Sequence, residues 1–223
     1  MKFFLDTEFH EYKKDSRILG IRSYLIDTIE LISVGIITEN GESFYEICNE
    51  FDVESAWSND WLRDNVIHKI FLDLLVMETE LNLIQTNTDE FNIHNLSYLL
   101  REHGSTKSSI ACGIKEFVYK NSQIVNPELN ENWEKIKHQF PVEFYGYYAD
   151  YDWVVICWIF GRMIDMPKGF PFYCKDLKQM LDEANVGDDW LQDNCPQSED
   201  EHNALADAKW NLLLYNALIN KSN

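Results

Sequence analysis

The chain carries half as many basic side chains as acidic ones, 19 Lys and Arg against 38 Asp and Glu in 223 residues, for a formal charge of -19. That shortage excludes a general coater of nucleic acid, because a polyanion is repelled at long range. Any role on DNA or RNA must be local, with bound cations reversing the field at the site. Cysteine is scarce and shows no pairing pattern: Cys48, Cys112, Cys157, Cys174 and Cys195 are odd in number, widely spaced and without a C-x-x-C pair. This argues against a disulfide frame or a zinc cluster and for reduced thiols in the cytosol. Long apolar runs are missing too. Phe3-Phe4-Leu5 stops at Asp6, short of a signal-peptide core of roughly 7–15 residues. The longest run, Trp153 to Phe160, falls short of the about 20 residues that cross a bilayer. No internal repeat or low-complexity linker is visible. A cytoplasmic protein without membrane association is expected.

What the chain does have is apolar bulk. It is 45% hydrophobic and 14% aromatic, with seven Trp, enough to offset the entropy of ordering despite the charge. The length suits one domain spanning 1–223. Lys2 to Leu5 reads as a central strand delivering Asp6 to a sheet edge. Glu30 to Thr38 reads as a second strand, turning at Asn40-Gly41 into a third at Ser43 to Cys48. Residues 10–28 read as a loop with the only dense basic cluster, Lys13, Lys14, Arg17 and Arg22. Val53 to Gln139 is helical in spacing; Trp57, Trp61, Val66 and Ile70 read as core, and a helix is capped near Thr106. A polar, Asn-rich stretch within about 71–105 reads as an insertion with weak helices. Val142 to Ala149 is a strand, Asp152 to about Arg162 a buried helix and Pro171 to Cys174 a further strand. Asp188 to Glu201 reads as a loop, and Asn203 to Leu218 as the last helix. This order is that of an RNase H-like α/β domain, a mixed sheet flanked by helices.

The chemistry lies in three separated pieces. Asp6-Thr7-Glu8 on a strand places two carboxylates on one face, the hard oxygen donors that divalent ions such as Mg²⁺ require. Two such ions roughly 3.5–4 Å apart can flank a scissile phosphate. By itself the triplet is weak evidence, since a solvated strand end of that composition is common. Asp152 follows the Tyr145-Gly146-Tyr147-Tyr148 strand and precedes an apolar helix, so it is either a cap or a carboxylate brought to the edge that holds Asp6. His202, just before the last helix, could reach a water, while Asp207 one turn inside is fixed enough to be a ligand. The bland alternative is that His202 and Asn203 cap the helix and Asp207 favours its positive end. Capping needs neither a histidine nor the small Ala204, Ala206 and Ala208 that would let this helix lie close to the sheet. One shared cause explains the three pieces better than three accidents.

In this order the pieces resemble the DEDDh 3′→5′ exonucleases, and more narrowly the RNase AS group of 3′-exoribonucleases. The narrower likeness rests on Leu5 to Phe9, Ile29 to Gly35, Trp61 to Val66, Phe172 to Leu177 and Glu201 to Ala208. The resemblance implies two Mg²⁺ ions, with Mn²⁺ able to substitute. Asp6, Glu8 and Asp207 would hold the first, Asp6 would bridge to the second, Asp152 would support that ion, and His202 would be the general base. It further implies a homodimer acting at the 3′ end of single-stranded, adenylate-rich RNA and releasing nucleoside 5′-monophosphates. Thr7, Phe9 and Arg63 are the candidate substrate contacts, Phe9 by stacking on a base. The chain departs from the family at Tyr148, which stands where an Asn is usual, and in the long basic stretch after Phe9. Single-stranded DNA or short oligonucleotides are the competing substrates. A non-catalytic RNA-binding module is the competing class, but it should have lost a ligand or the histidine, and none is missing.

Overall fold

The computed structural model describes every residue except 19–20, 81–88, 125–126, 128–129, 140, 198–199 and 223. β1 (Lys2–Ile18) and β2 (Ile21–Thr38) form a long antiparallel hairpin, extended by β3 (Ser43–Ile47) through the expected Asn-Gly turn. There Gly41 adopts φ +91° and its N–H donates to the Thr38 carbonyl at 3.0 Å. β4 (Glu143–Gly146) and β5 (Lys175–Asp176) run parallel on the other side of β1, completing the order β3-β2-β1-β4-β5. The fold is therefore the expected α/β arrangement, a mixed sheet flanked by helices.

Period-2 alternation divides β1 between two cores. Phe3 and Leu5 pack with Val34, Ile36 and Phe144 under α5 (Lys107–Ser122) and α7 (Asp150–Phe160). Phe4, on the opposite face, packs with Tyr145 under α8 (Leu177–Glu183) and α10 (Ala204–Ser222). A third core gathers Ile32 and Ile47 with α1 (Val53–Ser58), α2 (Asp60–Leu62), α3 (His68–Glu80) and α4 (Ile93–His103). Between α2 and α3 the helix passes through a π turn at Arg63–Ile67, closed by the His68 N–H on the Arg63 carbonyl. The short α6 (Trp133–Ile136) and α9 (Asp188–Asn194) complete the set.

Several expectations are corrected. The stretch 10–28 is strand on both sides of 19–20, because its charges alternate and pair across the ladder: Lys13 lies opposite Asp27, and their groups approach to 3.2 Å. Lys14 reaches Glu30 at 3.0 Å. The side chains of Arg17 and Arg22 lie outside the described residues. Pro171–Cys174 is not strand; the paired segment is only Lys175–Asp176, and Phe172 and Tyr173 are exposed. Asp188–Asn194 is helix rather than loop. The Asn-rich stretch supplies α4, capped by the Asn92 side chain and burying Leu96, Leu99 and Leu100, although 81–88 lie outside the described residues. Trp57 packs against the third core as expected, but Trp61 is 56% exposed. The helix breaks at the extended Asn59 between α1 and α2, so the four-residue step from Trp57 does not carry Trp61 inward, and its neighbour Leu62 is buried instead.

One contact sets where α10 lies. A Cβ on Gly35 would stand 2.2 Å from the Ala204 carbonyl oxygen and 2.4 Å from the Leu205 Cα, so the first turn of α10 rests on bare β2 backbone. Ala204 and Ala208 are fully buried, as their small size anticipates, and Asn211 Nδ2 donates to the Leu5 carbonyl at 2.9 Å. Gly35→Ala is therefore expected to lower the unfolding free energy by about 1–3 kcal/mol, the usual cost of overpacking. Chemical denaturation checks this, and an unchanged midpoint would show that α10 does not depend on the contact.

Candidate active site

Asp6 and Glu8 share a face of β1, with Asp6 opposite Gly35, the residue on which α10 rests. A β-bulge follows at once: Glu8 pairs with Ser33 but Phe9 with Leu31, the sort of irregularity that re-aims side chains beside active sites. On the other flank, β4 ends at Gly146, so no strand continues beside Thr7. Asp152 fills the gap. Its Oδ1 accepts the Thr7 N–H at 2.8 Å and the Thr7 hydroxyl at 2.6 Å, and both residues are buried. Asp150 is exposed. The Asp152 of the sequence reading thus sits at the strand edge, and Thr7, expected at the substrate, spends both donors on holding it.

From the far end of the chain, α10 brings His202 and Asp207. The helix is capped by Asn203, whose Oδ1 accepts the Leu205 and Ala206 N–H groups at 3.2 and 3.1 Å. Asn203 is fixed in turn by donating to Asp73 at 2.9 Å. Capping therefore leaves the His202 ring unused. His202 adopts φ +69°, and its backbone N–H donates to Asp207 Oδ2 at 2.8 Å, which orients that carboxylate. Ligand atoms of Glu8, His202 and Asp207 lie within 4.8 Å of one another. Asp6 joins His202 and Asp207 in lining a small cavity with Tyr147, Glu201, Trp210 and Asn211.

The electrostatics are those of an anion cluster held in a poor solvent. Burial, reinforced by the charges of Asp152, Glu8 and Asp207, raises the Asp6 carboxyl well above the ordinary range. Burial and the charges of Asp207 and Asp152 push Glu8 up to about 8, opposed by Lys69. Burial raises Asp152 to about 6 against the hydrogen bonds from Thr7, and burial also raises Asp207 against the His202 N–H. Crowding and burial thus make the carboxylates hold protons more readily than free ones. Hard oxygen donors with one imidazole, crowded beyond what their charges tolerate, fit a divalent ion.

The remaining candidates have partners of their own. Arg63 spends its guanidinium on Asp60 and Asp64 of its own helix, at 2.7 and 2.9 Å. Phe9 is half-buried and stacks on Tyr151, with centroids 6.1 Å apart. Lys13 and Lys14 are neutralised across the hairpin. What the sequence reading missed is Trp61, whose ring stands edge-on to His202 at 5.0 Å, and Lys69, whose ammonium donates to the Glu201 carbonyl. Tyr148 adopts φ +53°, and its N–H donates to Asp176 at 3.3 Å. Such a backbone suits Asn, the residue usual at this position in the family that the chain resembles.

Comparison with known proteins gives a family for the chain as a whole. The model of the 3′-5′ exoribonuclease Rv2179c-like domain matches residues 1–219. Two curated relatives, the 3′-5′ exoribonuclease Rv2179c of Mycobacterium tuberculosis H37Rv and the 3′-5′ exoribonuclease MT2234.1 of strain CDC 1551, are each 25% identical over 213 residues. The alignment covers 94% of this chain and 88% of each relative.

Two outcomes are expected. Glu8 and Asp152 titrate higher in the folded than in the unfolded chain, so their contribution is full below the unfolded carboxylate range. It is lost as pH rises through about 6 for Asp152 and about 8 for Glu8. With EDTA, the melting temperature should fall between pH 6 and 9, and Glu8→Gln should flatten that fall; an equal slope in the variant would remove Glu8 as its source. Tyr148→Asn should stabilise the protein by about 0.5–1 kcal/mol, part of the ~1–2 kcal/mol that a left-handed backbone costs most residues, read by denaturant titration.

Proposed function

We propose a mechanism from one premise: the chain belongs to the 3′-5′ exoribonuclease Rv2179c-like family. It is an enzyme, a 3′→5′ exoribonuclease. The finer reading is that it works as a DEDDh nuclease of the RNase AS type on single-stranded, adenylate-rich RNA, releasing nucleoside 5′-monophosphates. The observation that carries it is the convergence of Glu8 with His202 and Asp207, from opposite ends of the chain, within 4.8 Å.

In this reading Asp6, Glu8 and Asp207 would hold one divalent ion, and Asp6 with Asp152 a second, Mg²⁺ with Mn²⁺ as a substitute. Such ions lower the pKa of water and stabilise charge on the attacking and leaving oxygens. The side chains do the rest. His202, its ring free of capping duty, takes the proton of the attacking water at an imidazole nitrogen. Thr7 clamps Asp152, and the His202 N–H clamps Asp207, so both carboxylates meet the substrate already oriented. Phe9 is the candidate base platform. The homodimer implied by the resemblance has apolar surface available, since Val154 and Trp158 on α7 are 41% and 58% exposed.

Digestion of labelled A-, U-, C- and mixed-sequence RNA and DNA oligomers, with Mg²⁺ or EDTA, tests the reading. A-rich RNA should be shortened fastest, only with the metal, and a blocked 3′ end or a circle should survive; efficient cutting of circles would make the enzyme an endonuclease. His202→Ala should slow turnover by about 10²–10⁴-fold, the worth of a general base, with metal affinity little changed. A collapse of metal binding would make His202 a ligand instead. Asp152→Asn should remove most activity, whereas Asp150→Asn should cost no more than the ~10–100-fold of an outer partner. The reverse ranking at saturating metal would reassign the site.

A further inference from the structure

The helix from Asp60 to Glu80 touches the His202 segment twice. Trp61 stands edge-on to the His202 ring at 5.0 Å, yet is 56% exposed, so its burial elsewhere does not explain its place. Lys69 donates from its ammonium to the carbonyl of Glu201, the residue before the histidine. In a regular α-helix these two would not face the same way: eight residues at about 100° each leave them roughly 80° apart. The π turn at Arg63–Ile67 lies between them and takes up one extra residue, which removes about 100° and leaves about 20°. Trp61 and Lys69 are thereby brought onto one side.

We propose that the π turn exists to phase Trp61 and Lys69 into a bracket on the His202 segment, making both positioning residues for the histidine. The segment needs such a bracket. His202 holds a left-handed backbone at φ +69°, which costs a histidine energy unless its surroundings impose it. Its ring makes no capping bond, because Asn203 caps α10. Lys69 fixes the chain just before the strained residue, and Trp61 limits the swing of the ring. Both arms rise from a helix that buries Val66, Ile67, Ile70 and Leu74, and are as rigid as that core.

This inference rests on the reading of His202 as the general base, and the experiment separates the two. The variants are Trp61→Ala, Trp61→Phe, Lys69→Met and a deletion of Asp64 that restores regular helical phase, each also made with His202→Ala. The readouts are steady-state kinetics on a 3′-labelled RNA with Mg²⁺, and the imidazole C–H resonance of His202, assigned by its loss in His202→Ala. Trp61→Ala is expected to lower kcat by about 10–100-fold, the scale of a small misplacement of a catalytic group, with KM changed less than about twofold. Trp61→Phe should recover most of the loss, Lys69→Met and the deletion should lower kcat likewise, and the His202 resonance should move in each. In the His202→Ala background none should reduce kcat further.

A Trp61→Ala enzyme with normal kcat, raised KM and an unmoved His202 resonance would overturn the bracket and make Trp61 a substrate platform. Losses that persist at full size without His202 would overturn it as well. If His202→Ala itself retained normal turnover, the general-base reading would fall first, whatever Trp61 did.

Discussion

The absence of a side chain at Gly35 is the constraint on which the site depends. Any Cβ there would collide with the carbonyl of Ala204 at 2.2 Å, so α10 sits against sheet backbone at the position that pairs with Asp6. The same helix is pinned two turns later by Asn211 on the Leu5 carbonyl. Since backbone meets backbone, the distance from Asp207 to the carboxylates of β1 is set by rigid atoms rather than by side-chain packing, which could relax. Metal chemistry tolerates little error in ligand placement.

The charge distribution follows a related economy. The protein is strongly anionic, and the lysines of the hairpin that could draw in RNA are matched by Asp27 and Glu30. On the proposed mechanism, attraction for a phosphate would arise at the carboxylate cluster once cations had entered it. Burial and mutual repulsion raise the carboxylates of the cluster, and Lys69 opposes the rise at Glu8. On that mechanism affinity for RNA and affinity for metal would be one property, with the anionic surface guarding against unproductive adsorption.

Much of this was legible in the sequence because the informative residues lie where local rules are strong. Asp6 and Glu8 follow a short apolar strand, Asp152 opens an apolar helix, and Ala204 and Ala208 announce a close approach. The face on which His202 and Asp207 arrive was not legible, because it depends on Gly35 more than 160 residues away. The strands on either side of residues 19–20 are not legible, because cross-strand ion pairs rather than an apolar face join them and alternation of hydrophobicity is missing. The exposure of Trp61 is not legible because spacing arguments presume an unbroken helix, and the chain breaks at Asn59 between Trp57 and Trp61. That Thr7 holds Asp152 is not legible either, because a sequence does not reveal that β4 stops early and leaves the neighbouring strand in need of an acceptor.

The span between the two halves of the site also has a consequence for synthesis. Asn211 and Leu5 are joined across 206 residues, and Glu8 meets His202 and Asp207 across nearly as many. A ribosome-bound chain that has not yet released α10 holds Asp6, Glu8 and Asp152 but neither the base nor the closing carboxylate. On the proposed mechanism such a chain is inert toward RNA, and the message being translated, with the ribosome around it, is spared by the newborn enzyme until the last helix has docked.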